Sequence, residues 1–255
     1  MYIQLKTIDA EARKGKKKKA LKELAEIQLE LCKLQETMFV EHRHKLLIVL
    51  QGMDTAGKDG VVNHSFVGFN PNGVRVVPFK TPSTEEADHD YLWRIHKQVP
   101  GKGEIVIFNR SHYEDILFPK VHNLINDDEV KLRLQHIRAF ESLLSDTGTI
   151  IIKFYLHITK DKQRERLQDR IDTPEKNWKI SDADLQERTR WDDYMKAYET
   201  AINATSTKDS PWIVVPSNCK WYRNLLVARV TLKTLEKVRM QLPKPNKSLH
   251  GVIVK

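Results

Sequence analysis

Nine residues, Gly52-Met53-Asp54-Thr55-Ala56-Gly57-Lys58-Asp59-Gly60, fit the spacing G-x-x-x-x-G-K. A loop of this kind points its backbone N–H groups at a phosphate, and its lysine reaches the outer oxygens. Gly52, Ala56, Gly57, Lys58, Asp59 and Gly60 are therefore the expected phosphate-binding positions. Where such loops carry Ser or Thr to hold Mg²⁺, this chain has Asp59, and a second carboxylate, Asp54, sits inside the loop. A metal must be held differently here. A second set of groups follows the apolar run Ile105–Phe108: Asn109-Arg110-Ser111-His112-Tyr113-Glu114-Asp115. Phosphate-loop proteins often place a metal-holding acid at this point, but here the position is the neutral Asn109. Arg110 can fork onto phosphate oxygens, and Glu114 and Asp115 follow it a few residues later. The plainer reading of Arg110 and Glu114 is a structural ion pair, and that of His112 is a packing residue.

A third set is cationic. Lys162, Arg166 and Arg170 recur at i, i+4 and i+8, which puts all of them on one helix face. Like charges in register disfavour a bare helix, so an anion should face them. Beyond them, Lys176 and Lys179 flank Trp178 in a segment broken by Pro174. A basic segment of this kind suits a lid that closes over a polyanion and excludes water, against the plainer reading of a solvated helix. Lys80, after Val74–Val77, could meet a phosphate, with Thr84 as the cap of the helix that follows.

These groups need a scaffold. Apolar runs at Lys45–Leu50, Val74–Val77, Glu104–Phe108, Thr149–Leu156 and Trp212–Val215 alternate with helical stretches. Together with the phosphate loop and the basic segment, that alternation predicts an α/β three-layer sandwich: a five-stranded parallel sheet with helices on both faces and a helical lid. In such sheets ligands bind beyond the carboxyl ends of the strands. Helical spacing of Leu21, Leu24, Ile27, Leu31, Leu34 and Met38 predicts a helix over Ala20–Phe39, and another spans Lys220–Arg239. The division expected is a solvated basic arm at 1–19 and one domain at 20–255 with its lid at about 161–203. The tail after Leu242, with Pro243 and Pro245, reads as extended.

Of 255 residues, 40% are hydrophobic and 30% charged, an ordinary balance for a globular protein. The apolar runs are far shorter than a membrane span needs, and the N-terminus lacks a secretory core, so no membrane partner and a cytoplasmic location are expected. Cys32 and Cys219 have no metal-like spacing. The net charge of +9 points to an anionic partner.

Gly52–Gly60, the run Phe108–Asp115 and Pro174-Glu175-Lys176-Asn177-Trp178-Lys179 resemble the polyphosphate kinase 2 family. So do Glu187-Arg188 to Trp191-Asp192-Asp193-Tyr194 and Ala204-Thr205-Ser206-Thr207 before Pro211-Trp212. The resemblance runs in order from about residue 20 to 240. It implies a P-loop kinase-like fold similar to that of thymidylate kinases, a lid, and use of inorganic polyphosphate with Mg²⁺, or Mn²⁺ in its place, to phosphorylate nucleotides. Asp54, Lys58 and Arg110 then become the catalytic set, Asp54 and Glu114 the metal carboxylates, and Lys80, Glu114 and Asp115 the nucleotide side. The lid cations Lys162, Arg166, Arg170, Lys176 and Lys179 would hold the donor. Asn109-Arg110 with Glu114-Asp115, where several members have Asp-Arg and Asn-Arg, resembles the subgroup that takes both AMP and ADP. Guanine nucleotides are further candidate acceptors, and the resemblance implies a homo-oligomer, dimer or tetramer. One alternative keeps the fold and makes ATP the donor. Another is a nucleic-acid-binding protein with an inactive loop, but no base-stacking aromatic platform is evident and nucleic acid is not expected as a partner.

Overall fold

Continuous β-branched runs bury both faces best when they lie side by side under two layers of helices. The computed structural model of the chain, which describes residues 2–244, has this arrangement. β1 (Lys45–Gln51), β2 (Val74–Pro78), β3 (Ile105–Asn109), β4 (Thr149–His157) and β5 (Trp212–Pro216) form one parallel sheet in the order β2-β3-β1-β4-β5. β1 is central: Leu46–Leu50 pair with Ile105–Asn109 on one side and Ile150–Phe154 on the other. These five residues are fully buried, as an unbroken aliphatic run covered on both faces should be.

Among the described residues the helices are α1 (Lys17–Glu41), α2 (Lys58–Ser65), α3 (Thr84–Asp88), α4 (Trp93–His96), α5 (Glu114–Val121), α6 (Asp127–Asp146), α7 (Lys160–Asp172), α8 (Asp182–Thr189), α9 (Trp191–Thr205) and α10 (Lys220–Leu235). α1, α2 and α10 pack on one another, and so do α5, α6 and α9, which leaves the sheet between two helical layers. From β1 the chain visits β2 and β3 on one side before crossing to β4 and β5 on the other. That reversal opens a crevice at the carboxyl end of β1, and Gly52–Gly60 lies in it.

Four expectations are corrected. Residues 2–12 do not form a solvated arm: Leu5 is buried, its N–H donates to Glu199 at 2.9 Å, and Ile3 and Asn203 bond in both directions at 2.7 and 2.8 Å. Lys17–Lys19 belong to α1, which starts earlier than its apolar stripe predicts. α9 is core rather than lid, because Trp191, Tyr194, Tyr198 and Ile202 are all buried. The part of the insertion outside the core is therefore shorter, ending near residue 190. Ser83, not Thr84, caps α3, in a reciprocal pair with Glu86. Pro245 and the rest of the tail lie outside the described residues.

Behind the turn that follows β3 lies a buried polar network. Lys153, in the middle of β4, is fully buried and holds Glu141 at 2.5 Å, the Thr205 carbonyl at 2.9 Å and the Tyr113 hydroxyl at 3.2 Å. Glu141 also accepts from Tyr113 at 2.8 Å and meets His112 at 3.2 Å. His112 is thus a packed, buried residue, as its plainer reading expected.

Candidate functional site

The loop is held in shape by its own lysine. Lys58 opens α2, and its Nζ curls back to the carbonyls of Gly52 at 2.7 Å and Met53 at 3.3 Å. Burial, with Arg110 second, pushes its pKa down to about 8 against the pull of Asp54, Glu114 and Asp59. A buried cation held this way is short of counter-charge and favours a bound anion. Gly57 caps α2 at φ +102°, a left-handed conformation that penalises any Cβ. Gly57→Ala should therefore misplace the loop and cut kcat/KM on the order of a hundredfold, which steady-state assay of the folded variant checks.

Arg110 stands at the carboxyl end of β3 at φ +65°, uncommon for a non-glycine residue and characteristic of functional sites. Its Nη2 donates to Asp54 Oδ1 at 2.5 Å and its Nη1 to Glu114 Oε2 at 3.4 Å. Glu114 first, and Asp54 as well, keep the guanidinium firmly protonated despite its burial. Asp59, at the position of the missing hydroxyl, accepts from Asn109 Nδ2 at 2.6 Å. The phosphate loop and the strand end are thus tied together through two carboxylate contacts.

Two cavities meet at this point. One, of about 1000 Å³, runs over the loop toward α7, α10 and the start of α1. The other, of about 660 Å³, lies toward α5, α8 and α9 and is lined by Glu114, Asp115, Phe118, Tyr194 and Tyr198. Asp54, Arg110, Phe79, Lys80 and Asp184 line both. Gly52 borders the smaller cavity, and Gly57, Lys58, Asp59 and Gly60 the larger, while Ala56 is fully buried beneath. Asp115 is not a free ligand: both its oxygens accept from the buried Arg94, at 3.1 and 3.2 Å. Burial raises its pKa in spite of that guanidinium.

The cations of the insertion part company. Arg170, Lys176 and Lys179 line the larger cavity, Lys176 paired with Asp169 at 2.8 Å and Arg170 donating to the Lys179 carbonyl at 2.7 Å. Arg166 lines it too, but donates to the carbonyls of Thr55, Ala56, Ser217 and Asn218. Lys162 faces neither cavity and pairs with Glu165, so one cation of the predicted row is turned away. The sequence reading missed Arg223 of α10, buried behind the loop and donating to Ala56 O at 3.1 Å. It also gave little weight to Arg94, which ties Asp115 to the Lys80 carbonyl at 2.8 Å.

Known proteins resemble this chain closely. The family model described as polyphosphate kinase 2 matches residues 14–243. An AMP/ADP-polyphosphate phosphotransferase of Meiothermus ruber is 51% identical over 246 residues, covering 96% of this chain and 92% of the relative. An ADP-polyphosphate phosphotransferase of Rhodopseudomonas palustris is 45% identical over 234 residues, covering 87% and 81% of the two chains. The crystal structure of polyphosphate kinase 2 from Arthrobacter aurescens superimposes with a TM-score of 0.93 at 43% identity, covering 96% of this chain and 89% of that one. Among the described residues no helix is long and apolar enough to cross a membrane.

Proposed function

The chain belongs to the polyphosphate kinase 2 family and is a polyphosphate-dependent nucleotide kinase, and we propose that it transfers the terminal phosphoryl group of inorganic polyphosphate reversibly to AMP and ADP with Mg²⁺. The observation that carries the site assignment is the meeting of two cavities at Asp54 and Arg110, within reach of Lys58. On this reading the larger, cation-lined cavity takes the donor, and the smaller one takes the acceptor between Phe118 and the carboxylates. The acceptor oxygen belongs to a phosphate already ionised at neutral pH, so no general base is required. The bond from the terminal phosphorus to the chain breaks, a bond to the acceptor oxygen forms, and the polyphosphate leaves one residue shorter. Transfer of this kind needs positioning and charge neutralisation rather than covalent help. The loop N–H groups and Lys58 cradle the terminal phosphate, Arg110 steadies the group in transit, and Arg170, Lys176 and Lys179 hold the chain behind it.

Asp54 and Glu114 fit a Mg²⁺ site. Both are hard oxygen donors that converge on the Arg110 guanidinium at the junction of the two cavities. Mg²⁺ is commonly held by one or two carboxylates and completed by substrate phosphates. When bound it would neutralise charge on the phosphates. A homo-oligomer, dimer or tetramer, in the cytoplasm is the accompanying expectation, and sedimentation of the purified protein tests the assembly.

The decisive assay offers AMP, ADP, GMP and GDP separately, with polyphosphate as the sole donor and Mg²⁺ present. ADP from AMP and ATP from ADP are the expected products. Transfer that occurs only when ATP is supplied would replace this reading with an ATP-dependent kinase. Salt-sensitive nucleic-acid binding without turnover would replace it with a binding protein.

A further inference from the structure

Buried charges in proteins are almost always paired. Arg223 is not. It is 2% exposed, and its guanidinium meets only neutral groups: Ala56 O at 3.1 Å and Asn224 Oδ1 at 2.8 and 3.0 Å. Arg166 converges on the same carbonyl, Ala56 O, at 3.3 Å, and its other acceptors are backbone oxygens as well. Glu165 and Glu11 act on Arg166 only from longer range. Two guanidiniums therefore share one oxygen at the back of the phosphate loop, with no carboxylate in ion-pair contact among the described residues.

The chain has made room for this arrangement. A Cβ on Gly57 would lie 1.8 Å from Arg223 Nη1, and one on Gly60 would lie 2.7 Å from Nη2. Both glycines thus bring the guanidinium against the loop. Lys220, one turn earlier on α10, lines the same cavity, as do Lys176 and Lys17. Burial, and then Arg166 and Arg223, lower the pKa of Lys220, while Asp169 opposes them. The positive charge gathered here exceeds what the neighbouring carboxylates answer, and it lies on the side of the loop away from the acceptor cavity.

We propose that Arg223 and Lys220, with the carbonyl-bound Arg166 adding its charge behind them, form a donor subsite for a phosphate of the polyphosphate chain beyond the terminal one. This rests on the polyphosphate reading above and deepens it. The subsite sets donor specificity, because a donor that continues as phosphate pairs with these cations, whereas one that continues as a neutral nucleoside leaves them unanswered.

The test measures binding without turnover. Tripolyphosphate and long-chain polyphosphate are titrated into the full chain by calorimetry without nucleotide, and Tm is followed with and without each anion. Arg223→Met should weaken long-chain binding about thirtyfold, the loss of charge-assisted hydrogen bonds. Its Tm without anion should stay close to wild type, since methionine removes an uncompensated buried charge. A steep fall in that Tm, with the polyphosphate-induced gain intact, would make Arg223 a structural brace and overturn the proposal. If Arg223→Met does not fold, Lys220→Gln decides. It should weaken long-chain binding severalfold and reduce the salt slope by roughly one, and unchanged affinity and slope overturn the subsite. A wild-type protein that binds neither polyphosphate overturns the underlying reading itself, a result distinct from a wild type that binds and variants that bind equally well.

Discussion

Lys58→Met should reduce kcat/KM for phosphoryl transfer on the order of a thousandfold, the scale set by removing a preorganised charge donor from a transition state, while the protein stays folded. The methionine keeps most of the stem that fills the loop and removes only the ammonium that bonds Gly52 O and Met53 O. Without substrate that ammonium is a burden. Its pKa of about 8 is set by burial first, and an exposed lysine titrates near 10.4. Below about 8 the folded state must carry the buried charge, so this group penalises folding there, and the penalty fades as pH rises toward the unfolded value. Wild type should therefore gain stability across alkaline pH by a step that Lys58→Met lacks. Donor binding runs the other way, because it needs the charged form and should weaken as pH rises through about 8. ATP formation from ADP and polyphosphate, followed with urea unfolding across neutral and alkaline pH, tests all these expectations. Retained turnover in Lys58→Met would remove Lys58 from the reaction.

The loop and the sheet were legible because their signals are local. Each strand is built on β-branched or other apolar residues, with Arg75 in β2 and Lys153 in β4 as interruptions, and the phosphate loop is a spacing that serves one backbone shape. The convergence of loop and strand end followed from parallel topology, which gathers strand ends at one edge. What could not be read was which neighbour each cation meets. Lys162, Arg166 and Arg170 share a helix face by spacing, yet Arg166 is occupied by four carbonyls and Lys162 by Glu165. Arg223 lies 167 positions from Ala56, so no local pattern links them. A signal was present even so: Arg223 shares the buried stripe of α10 with Val227 and Thr231, where a lone cation is out of place. The same stripe logic assigns α9 to the core, against the charged composition that suggested a lid.

The turn after β3 that carries Arg110 rests on a buried charge pair that lines neither cavity, and Lys153→Met should be among the most destabilising single changes, at about 3–5 kcal/mol. It strands Glu141, which is 1% exposed and loses its partner at 2.5 Å. Lys153→Met with Glu141→Gln removes both charges and leaves an amide oxygen to accept from Tyr113, so most of the loss should return. Urea unfolding of the two single variants and the double variant measures that coupling. Acid pH gives an independent reading. Burial raises the Glu141 pKa, but Lys153 and His112 outweigh it, and the carboxyl is held below its ordinary value. A depressed carboxylate adds stability above its unfolded pKa of about 4.3 and loses it as pH falls further, so the double variant should have the shallower acid transition. The network bears on the site because His112 and Tyr113, both bonded to Glu141, lie in the chain between Arg110, held at φ +65°, and Glu114. A Lys153→Met enzyme assayed where it is still folded should lose kcat more than it raises KM, since the turn that aims Arg110 loosens while the donor groove is untouched. Equal destabilisation by single and double variants, with kcat unchanged in each, would reduce the pair to ordinary core packing.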